Sequence, residues 1–97
     1  MAIRVLFEMK AKPGTGADVV SHFRSILPET RSQEGCTSVE VLQNGDDADN
    51  LVLSAVWETR GHYEKYLAWR RERGDSDRLF EALTERPGIR FFDVTDA

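Results

Sequence analysis

The chain has 97 residues, of which 40% are hydrophobic and 31% charged, and its formal net charge is −4. This balance is typical of a soluble globular protein, and it excludes a disordered chain or a disulfide-rich scaffold. One domain over residues 1–97 is the expected organisation. No run approaches the roughly 18 apolar residues of a membrane span. Neither half is basic, which argues against nucleic acid as a partner.

The first segments indicate a strand and then a helix. Residues 2–10 alternate, with Ile3, Val5, Phe7 and Met9 on one face, and this period of two predicts a strand. Thr15 and Asp18 resemble a capping box at the start of a helix. Its apolar positions have helical spacing, and Pro28 is expected to kink or end it. These positions are Val19, Val20, Phe23, Ile26 and Leu27.

The middle of the chain predicts two further strands. Gly35 is suited to stop the first helix, and residues 36–43 form a polar second strand. Asn44-Gly45 alone would signal a tight hairpin. The acidic residues that follow are poor strand formers, so the sequence favours a longer loop over 44–50. Residues 51–58 then predict a third strand that is apolar on both faces.

The last part of the chain completes the pattern. Thr59 is expected to cap a second helix that runs to about Arg73 and ends at Gly74. A short third helix is predicted over 77–85 and a last strand over 89–94. The order β-α-β-β-α-β, with a small helical insert, predicts an α+β ferredoxin-like fold. Its four-stranded antiparallel sheet would carry the helices on one face.

The other face of the predicted sheet would be left open. Strands one, three and four carry apolar residues on both faces, whereas the chain's helices cover only one. A large exposed apolar face marks a partner site, and two-fold self-association is its commonest solution. The sequence therefore predicts a homodimer with the sheets packed against each other.

Several short segments resemble the antibiotic biosynthesis monooxygenase (ABM) domain family. They are Glu34-Gly35-Cys36, the acidic pair Asp46-Asp47, the strand end Val56-Trp57-Glu58-Thr59, and the second-helix stretch Tyr63-Glu64-Lys65-Tyr66-Leu67-Ala68-Trp69-Arg70. The resemblance spans about residues 3–94. It implies a dimeric α/β barrel with a pocket between helices and sheet. Relatives include cofactor-free oxygenases of aromatic polyketides, quinol monooxygenases and haem-degrading enzymes.

Two branches of that family do not match this chain at their functional positions. The haem-degrading branch uses an Asn, a Trp and a His. The positions of this chain that resemble those three are Phe7, Tyr66 and, approximately, Ser76. Haem degradation is therefore not expected. The quinol-type branch commonly has a His nine residues after the strand-end Trp, and that position here is Tyr66. The mechanism of the quinol-type branch is therefore not assigned directly to this chain.

The second helix carries the chemistry that cofactor-free oxygenation requires. Such a reaction needs a dry aromatic pocket with one cation or a few hydrogen-bond donors. Arg70 is suited to pair with a substrate oxyanion, and Tyr63 or Tyr66 to hydrogen-bond a phenol or quinone oxygen. Trp57 and Trp69 would add aromatic walls. Tyr and Trp residues at helical spacing are most often core residues, and an ion pair to Glu58, Glu64 or Asp77 would explain Arg70.

The remaining reactive residues give weaker signals. His62 opens the second helix and His22 lies beside the apolar stripe of the first, and either is a possible base; His62 is the preferred candidate. Cys36 is expected to be a small buried residue. A single cysteine, and a start interrupted by Arg4 and Glu8, favour the cytoplasm. The spacing of the His and Cys residues and of the acidic residues predicts no metal site.

The leading prediction is a cofactor-independent monooxygenase. It would act with molecular oxygen on a small phenolic, quinol-type or polyketide-like aromatic molecule. The candidate catalytic residues are Tyr66, Arg70 and His62, and the candidate substrate-binding residues are Trp57, Tyr63, Trp69 and Phe7. Two alternatives remain open. One is a non-catalytic dimeric barrel that binds a small hydrophobic ligand or serves a stress response, and the other is an isomerase or cyclase on the same fold.

Overall fold

The structure is a computed structural model that describes residues 2–97. Its order of strands and helices confirms the predicted β-α-β-β-α-β pattern with a helical insert before the last strand. The elements are β1 (Ile3–Lys10), α1 (Gly16–Arg31), β2 (Cys36–Asn44), β3 (Asp47–Trp57), α2 (Arg60–Glu72), α3 (Asp75–Glu81) and β4 (Gly88–Asp93).

The four strands form one sheet in the order β2-β3-β1-β4. All neighbouring strands are antiparallel, with Val5 of β1 paired to Ala55 of β3 on one side and to Phe91 of β4 on the other. Strands β2 and β3 are consecutive and form a hairpin. Helix α1 connects β1 to β2, and helices α2 and α3 connect β3 to β4. This confirms the ferredoxin-like α+β fold.

The period-two pattern of β1 decides which face is buried. Ile3, Val5, Phe7 and Met9 are all buried in the core against the helices, while alternate residues of the strand point to the open face. Trp57 and Leu51 extend the same face on β3 and are fully buried. Burial of large apolar side chains contributes about 1.5–3 kcal/mol each and fixes the strand register.

Helix α1 differs from its prediction at its N-terminal cap. It continues through Pro28 to Arg31, so of the two effects expected of the proline, a kink or an end, the end does not occur. The Thr15 side chain makes no cap hydrogen bond to the helix, because its hydroxyl donates instead to the Lys12 carbonyl at 2.7 Å. The carboxylate of Asp49, from the β2–β3 hairpin, accepts the N–H groups of Gly14 at 3.0 Å and Gly16 at 2.9 Å.

The β2–β3 hairpin is tight, so the predicted loop over 44–50 is wrong. Only Gly45 and Asp46 lie between the two strands. Side-chain hydrogen bonds offset the poor strand propensity of this segment. The Asn44 side chain accepts from the Asp46 N–H at 2.8 Å and donates to the Asn50 side chain at 2.9 Å. An irregularity between Gln43 and Asn44 absorbs the change in register.

The open face of the sheet is more mixed than predicted. Charged groups lie among its apolar residues: Arg4 donates to Ser54 at 2.8 Å, and Arg90 lies 3.7 Å from Glu8. The apolar residues on it are Leu6, Leu42, Val52, Val56 and Phe92. Leu42 and Phe92 are about half exposed. No helix within residues 2–97 is long and apolar enough to cross a membrane.

Candidate active site

A cavity of about 380 Å³ lies between the helices and the sheet. Every helix and three of the four strands contribute apolar side chains to its wall. These are Phe7 of β1, Phe23 and Ile26 of α1, Leu53 of β3, Leu67 of α2, Leu79 and Phe80 of α3, and Ile89 of β4. The size and the apolar lining fit a small aromatic molecule.

The structure brings four of the seven predicted site residues to this cavity. Phe7, Tyr63, Tyr66 and Arg70 line it. The other three do not. Trp57 is fully buried beneath Tyr63 and Tyr66, while Trp69 and His62 lie outside the cavity wall.

The Arg70 guanidinium is buried and all of its donors are used. Nε donates to the Tyr66 hydroxyl at 3.0 Å. One terminal nitrogen donates to Asp75 at 2.9 Å and to Glu29 at 3.4 Å. The other donates to the Ile26 carbonyl and to Thr30, both at 3.1 Å. A guanidinium has five N–H donors, so a substrate oxyanion would have to displace one of these acceptors.

The Tyr66 hydroxyl belongs to the same network. It lies 2.8 Å from the Thr30 hydroxyl and accepts from Arg70. The Tyr66 ring packs against Trp57, with centroids 5.1 Å apart. Tyr66 therefore lines the cavity while its oxygen connects α2 to α1.

Trp69 supports this network from outside the cavity. The guanidinium carbon of Arg70 lies 4.8 Å from the Trp69 ring centroid and that of Arg73 lies 4.6 Å away. Arg73 also donates to Glu29 at 2.9 Å, and this bond, with that from Arg70, lowers the pKa of Glu29. Cation–π contacts and ion pairs together order the join between α2 and α1.

Tyr63 differs from Tyr66 in its hydrogen bonding. Its ring packs edge-on against Trp57 and Phe91, and its hydroxyl forms no hydrogen bond with the described part of the chain. Burial, with the nearby Tyr66, raises the pKa of Tyr63 well above its ordinary value. The Tyr63 hydroxyl therefore stays protonated and remains free to donate to a bound molecule.

His62 has a local structural role. Thr59 caps α2 as predicted, accepting the His62 N–H at 3.1 Å, and the Thr59 hydroxyl lies 2.7 Å from Nδ1 of the ring. The ring packs over Gly35, whose φ of +87° suits glycine and whose position leaves no room for a Cβ. Gly35 belongs to one of the segments that resemble the ABM family, and its close contact with α2 explains why a glycine stands there.

His22, the less favoured histidine in the sequence, lies at the cavity. It is on α1 one turn before Ile26 and belongs to the cavity lining. Its Nε2 atom is buried and has no hydrogen-bond partner within residues 2–97. The helical spacing to the apolar stripe was visible in the sequence, whereas the presence of Leu79 of α3 in the same cavity wall was not.

The cavity mouth is polar. Exposed Arg71, Asp77 and Arg86 line it together with Ser76. Among residues 2–97 no group of three or more His, Cys, Asp or Glu side chains has metal-binding geometry. At the start of β2, burial raises the pKa of the Cys36 thiol, which keeps it protonated.

A ferredoxin-like sheet with an aromatic cavity under its helices defines a class of small α+β proteins that have a ligand-sized cavity between helices and sheet. The model of the family described as "Antibiotic biosynthesis monooxygenase" matches residues 2–71. The chain belongs to this ABM family, as its segments suggested. No curated protein matches the sequence significantly.

Solved structures of low sequence identity share the fold over most of their length. A conserved protein from Methanosarcina mazei Go1 is 22% identical with a TM-score of 0.87, covering 98% of this chain and 94% of that one. A monooxygenase from the gene ActVA-Orf6 of Streptomyces coelicolor, in complex with the ligand Nanaomycin D, is 20% identical with a TM-score of 0.84, covering 99% and 89%. Rv0793 from Mycobacterium tuberculosis is 18% identical with a TM-score of 0.77, covering 100% and 98%. At these identities the likeness shows the fold.

Proposed function

We propose that the protein is a cofactor-independent monooxygenase that uses molecular oxygen to oxidise a small phenolic or polyketide-like aromatic molecule. The observation that carries the proposal is the cavity itself, which is apolar, aromatic and large enough for such a substrate. Membership of the ABM family supports this reaction class. The similar fold of a monooxygenase solved with Nanaomycin D supports an aromatic ligand.

The chemistry requires a substrate that supplies its own electrons. A deprotonated phenol or enol transfers one electron to O₂, and the radical pair recombines to a hydroperoxide on the substrate carbon. Loss of water then leaves a carbonyl, so that R₂CH₂ and O₂ give R₂C=O and H₂O. One oxygen atom enters the product and the other enters water. The protein must hold the substrate anion in a dry, oriented site.

Within this proposal the polar residues of the cavity have different roles. Tyr63 donates its free hydroxyl to the substrate oxygen on which negative charge develops. Tyr66 and Arg70 act as positioning residues, because their polar atoms are engaged with Thr30, Asp75 and Glu29. Phe7 packs against the bound ring from the sheet side.

The proposal includes a homodimer in the cytoplasm. The half-exposed Leu42 and Phe92 lie on the open sheet face, where a second copy would cover them. The sequence contains one cysteine and therefore no pair for an internal disulfide, which fits a reducing compartment.

Oxygen uptake with a panel of anthrones, quinols and catechols tests the activity. We expect uptake with at least one class and a product that carries one atom of ¹⁸O from ¹⁸O₂. Tyr63→Phe should slow the reaction, whereas Ser21→Glu, a change on the exposed side of α1, should not. Saturable binding of panel members without uptake would instead support the ligand-binding alternative. Substrate turnover without O₂ would support the isomerase or cyclase alternative.

A further inference from the structure

His22 lies between two cavities. Besides the aromatic cavity, His22 lines a neighbouring groove of about 430 Å³ between the first half of α1 and α3. Leu79 is the other residue that lines both. The imidazole and this leucine therefore form the partition between the aromatic cavity and the groove.

Both sides of this partition carry charged side chains. Those of the groove are Lys12, Asp18, Arg78 and Glu81, and those at the mouth of the aromatic cavity are Arg71, Asp77 and Arg86. Asp18 and Glu81 are exposed. A proton released on the groove side would meet these carboxylates and water.

The Nε2 atom of His22 lacks a partner that it should have. Leaving a buried polar atom without a hydrogen bond costs about 1–3 kcal/mol, and among residues 2–97 only this atom and the Trp57 indole nitrogen are side-chain atoms in that condition. Trp57 does not line the cavity, whereas His22 does. Because Nε2 is closed to solvent in this structure, a hydroxyl in the cavity reaches it only after a turn of the imidazole ring, and it would then supply the missing partner.

The other titratable groups of the aromatic cavity are poorly suited to accept a proton. Arg70 and Asp75 are paired with each other at 2.9 Å. The Tyr66 hydroxyl is engaged with Thr30, and burial raises the pKa of Tyr63 so that its hydroxyl stays protonated. At the mouth, Arg71 and Arg86 are cations, and Asp77 is an exposed, water-solvated carboxylate.

We propose that His22 is the general base of the cavity. The inference rests on the proposed function, and it assigns the step that generates the electron-rich substrate. The substrate O–H bond breaks, its electron pair stays on oxygen, and the proton forms an N–H bond at Nε2 of His22. The resulting imidazolium gives a proton to water or a carboxylate of the neighbouring groove, which restores the neutral ring. Neither substrate nor protein is oxidised in this step.

The test compares His22→Gln with Ser21→Gln, a change at the exposed neighbouring position of α1. With a hydroxyanthrone as substrate, general-base catalysis is worth about 10²–10⁴-fold, so kcat/KM of His22→Gln should fall by at least about 100-fold at neutral pH. That of Ser21→Gln should stay within about threefold. The loss should shrink as the pH rises through the ionisation of the hydroxyanthrone itself, because the substrate then ionises without a base.

A loss that is the same at every pH would overturn the inference, since it indicates a structural defect. Activity of His22→Gln within about threefold of wild type at neutral pH would also overturn it. His22→Asn and thermal unfolding of each variant check that the cavity still forms. His22→Asn should show the same pH-dependent loss.

A measurement without oxygen separates the base from the oxygenation. Under anaerobic conditions the hydroxyanthrone bound to wild type should show the absorption band of its anion, and the band should be absent with His22→Gln. A His22-dependent band without oxygen uptake would leave the base in place and refute the proposed function. Uptake by wild type without a His22-dependent band would refute the base alone. No anion band with wild type would overturn the inference.

Discussion

The hydroxyl oxygens of Thr30 on α1 and Tyr66 on α2 lie 2.8 Å apart in the interior of the protein. Both also accept hydrogen bonds from the buried guanidinium of Arg70. This three-residue contact connects the two long helices at the wall of the cavity. The shape of the cavity therefore depends on polar groups that the substrate need not contact.

Tyr66→Phe should destabilise the protein. The change leaves the buried Nε–H of Arg70 without its acceptor, and it removes one of the two side-chain partners of the Thr30 hydroxyl. The expected loss in the free energy of unfolding is about 1–3 kcal/mol. Urea denaturation measures it. The loss should be smaller in a Thr30→Val background, because the two residues share one contact; full additivity would contradict a coupled network.

Tyr63→Phe should have the opposite profile. The Tyr63 hydroxyl has no partner within residues 2–97, so its removal should leave the urea midpoint close to that of wild type. If it donates to the substrate anion, its loss should cost about 1.5–3 kcal/mol of transition-state stabilisation, which is about 10–100-fold in kcat/KM. Oxygen-uptake kinetics measure this. Unchanged kinetics with an active substrate would exclude Tyr63 from the reaction.

Much of the fold could be predicted because it depends on local periodicity. The alternation of Ile3, Val5, Phe7 and Met9 and the Thr59 cap are visible within a few residues. The errors have different causes. The missed hairpin is local, because the Asn44 side chain bonds to Asp46 and Asn50. The missed cap of α1 is long-range, because Asp49 caps a helix that begins 33 residues earlier in the chain. Nothing near Asp49 in sequence shows that partner.

The candidate site, like the fold, was predictable only in part. The second helix was identified as its centre, and four of the seven predicted residues line the cavity. The role of Arg70 was not predictable, because three of its five acceptors lie on α1, about 40 residues away. The sequence places His22 beside the apolar stripe of α1 and His62 at the start of α2, but it does not show what either ring contacts. Only packing shows that one ring lines the cavity while the other covers Gly35.

Phe92→Glu should convert a dimer to a monomer. Phe92 is 46% exposed on the open face of the sheet, and a carboxylate there would be buried without a partner if two sheets pack together. Sedimentation velocity at low micromolar concentration should show a dimer for wild type and a monomer for the variant. Ser21→Glu adds the same charge on the helix side and should remain dimeric. A monomeric wild type would refute the proposed dimer.

Asp49→Asn should lower stability in a pH-dependent way. The N–H of Gly14, and next that of Gly16, stabilise the Asp49 carboxylate and lower its pKa below the ordinary 3.8. A group whose folded pKa is depressed binds fewer protons in the folded state than in the unfolded state near that pH. Its contribution is therefore fully present above about pH 4 and is lost as the pH falls through the folded value.

The measurement is urea denaturation of wild type and Asp49→Asn across the acid range. The difference in the free energy of unfolding should be constant from neutral pH to about pH 5 and should shrink below about pH 4. Asp46→Asn is the matched control, since Asp46 lies in the same hairpin but its carboxylate makes no contact with the start of α1. Its difference from wild type should stay small and show no such pH dependence. A difference for Asp49→Asn that persists unchanged to about pH 2 would show that the carboxylate charge does not stabilise the start of α1.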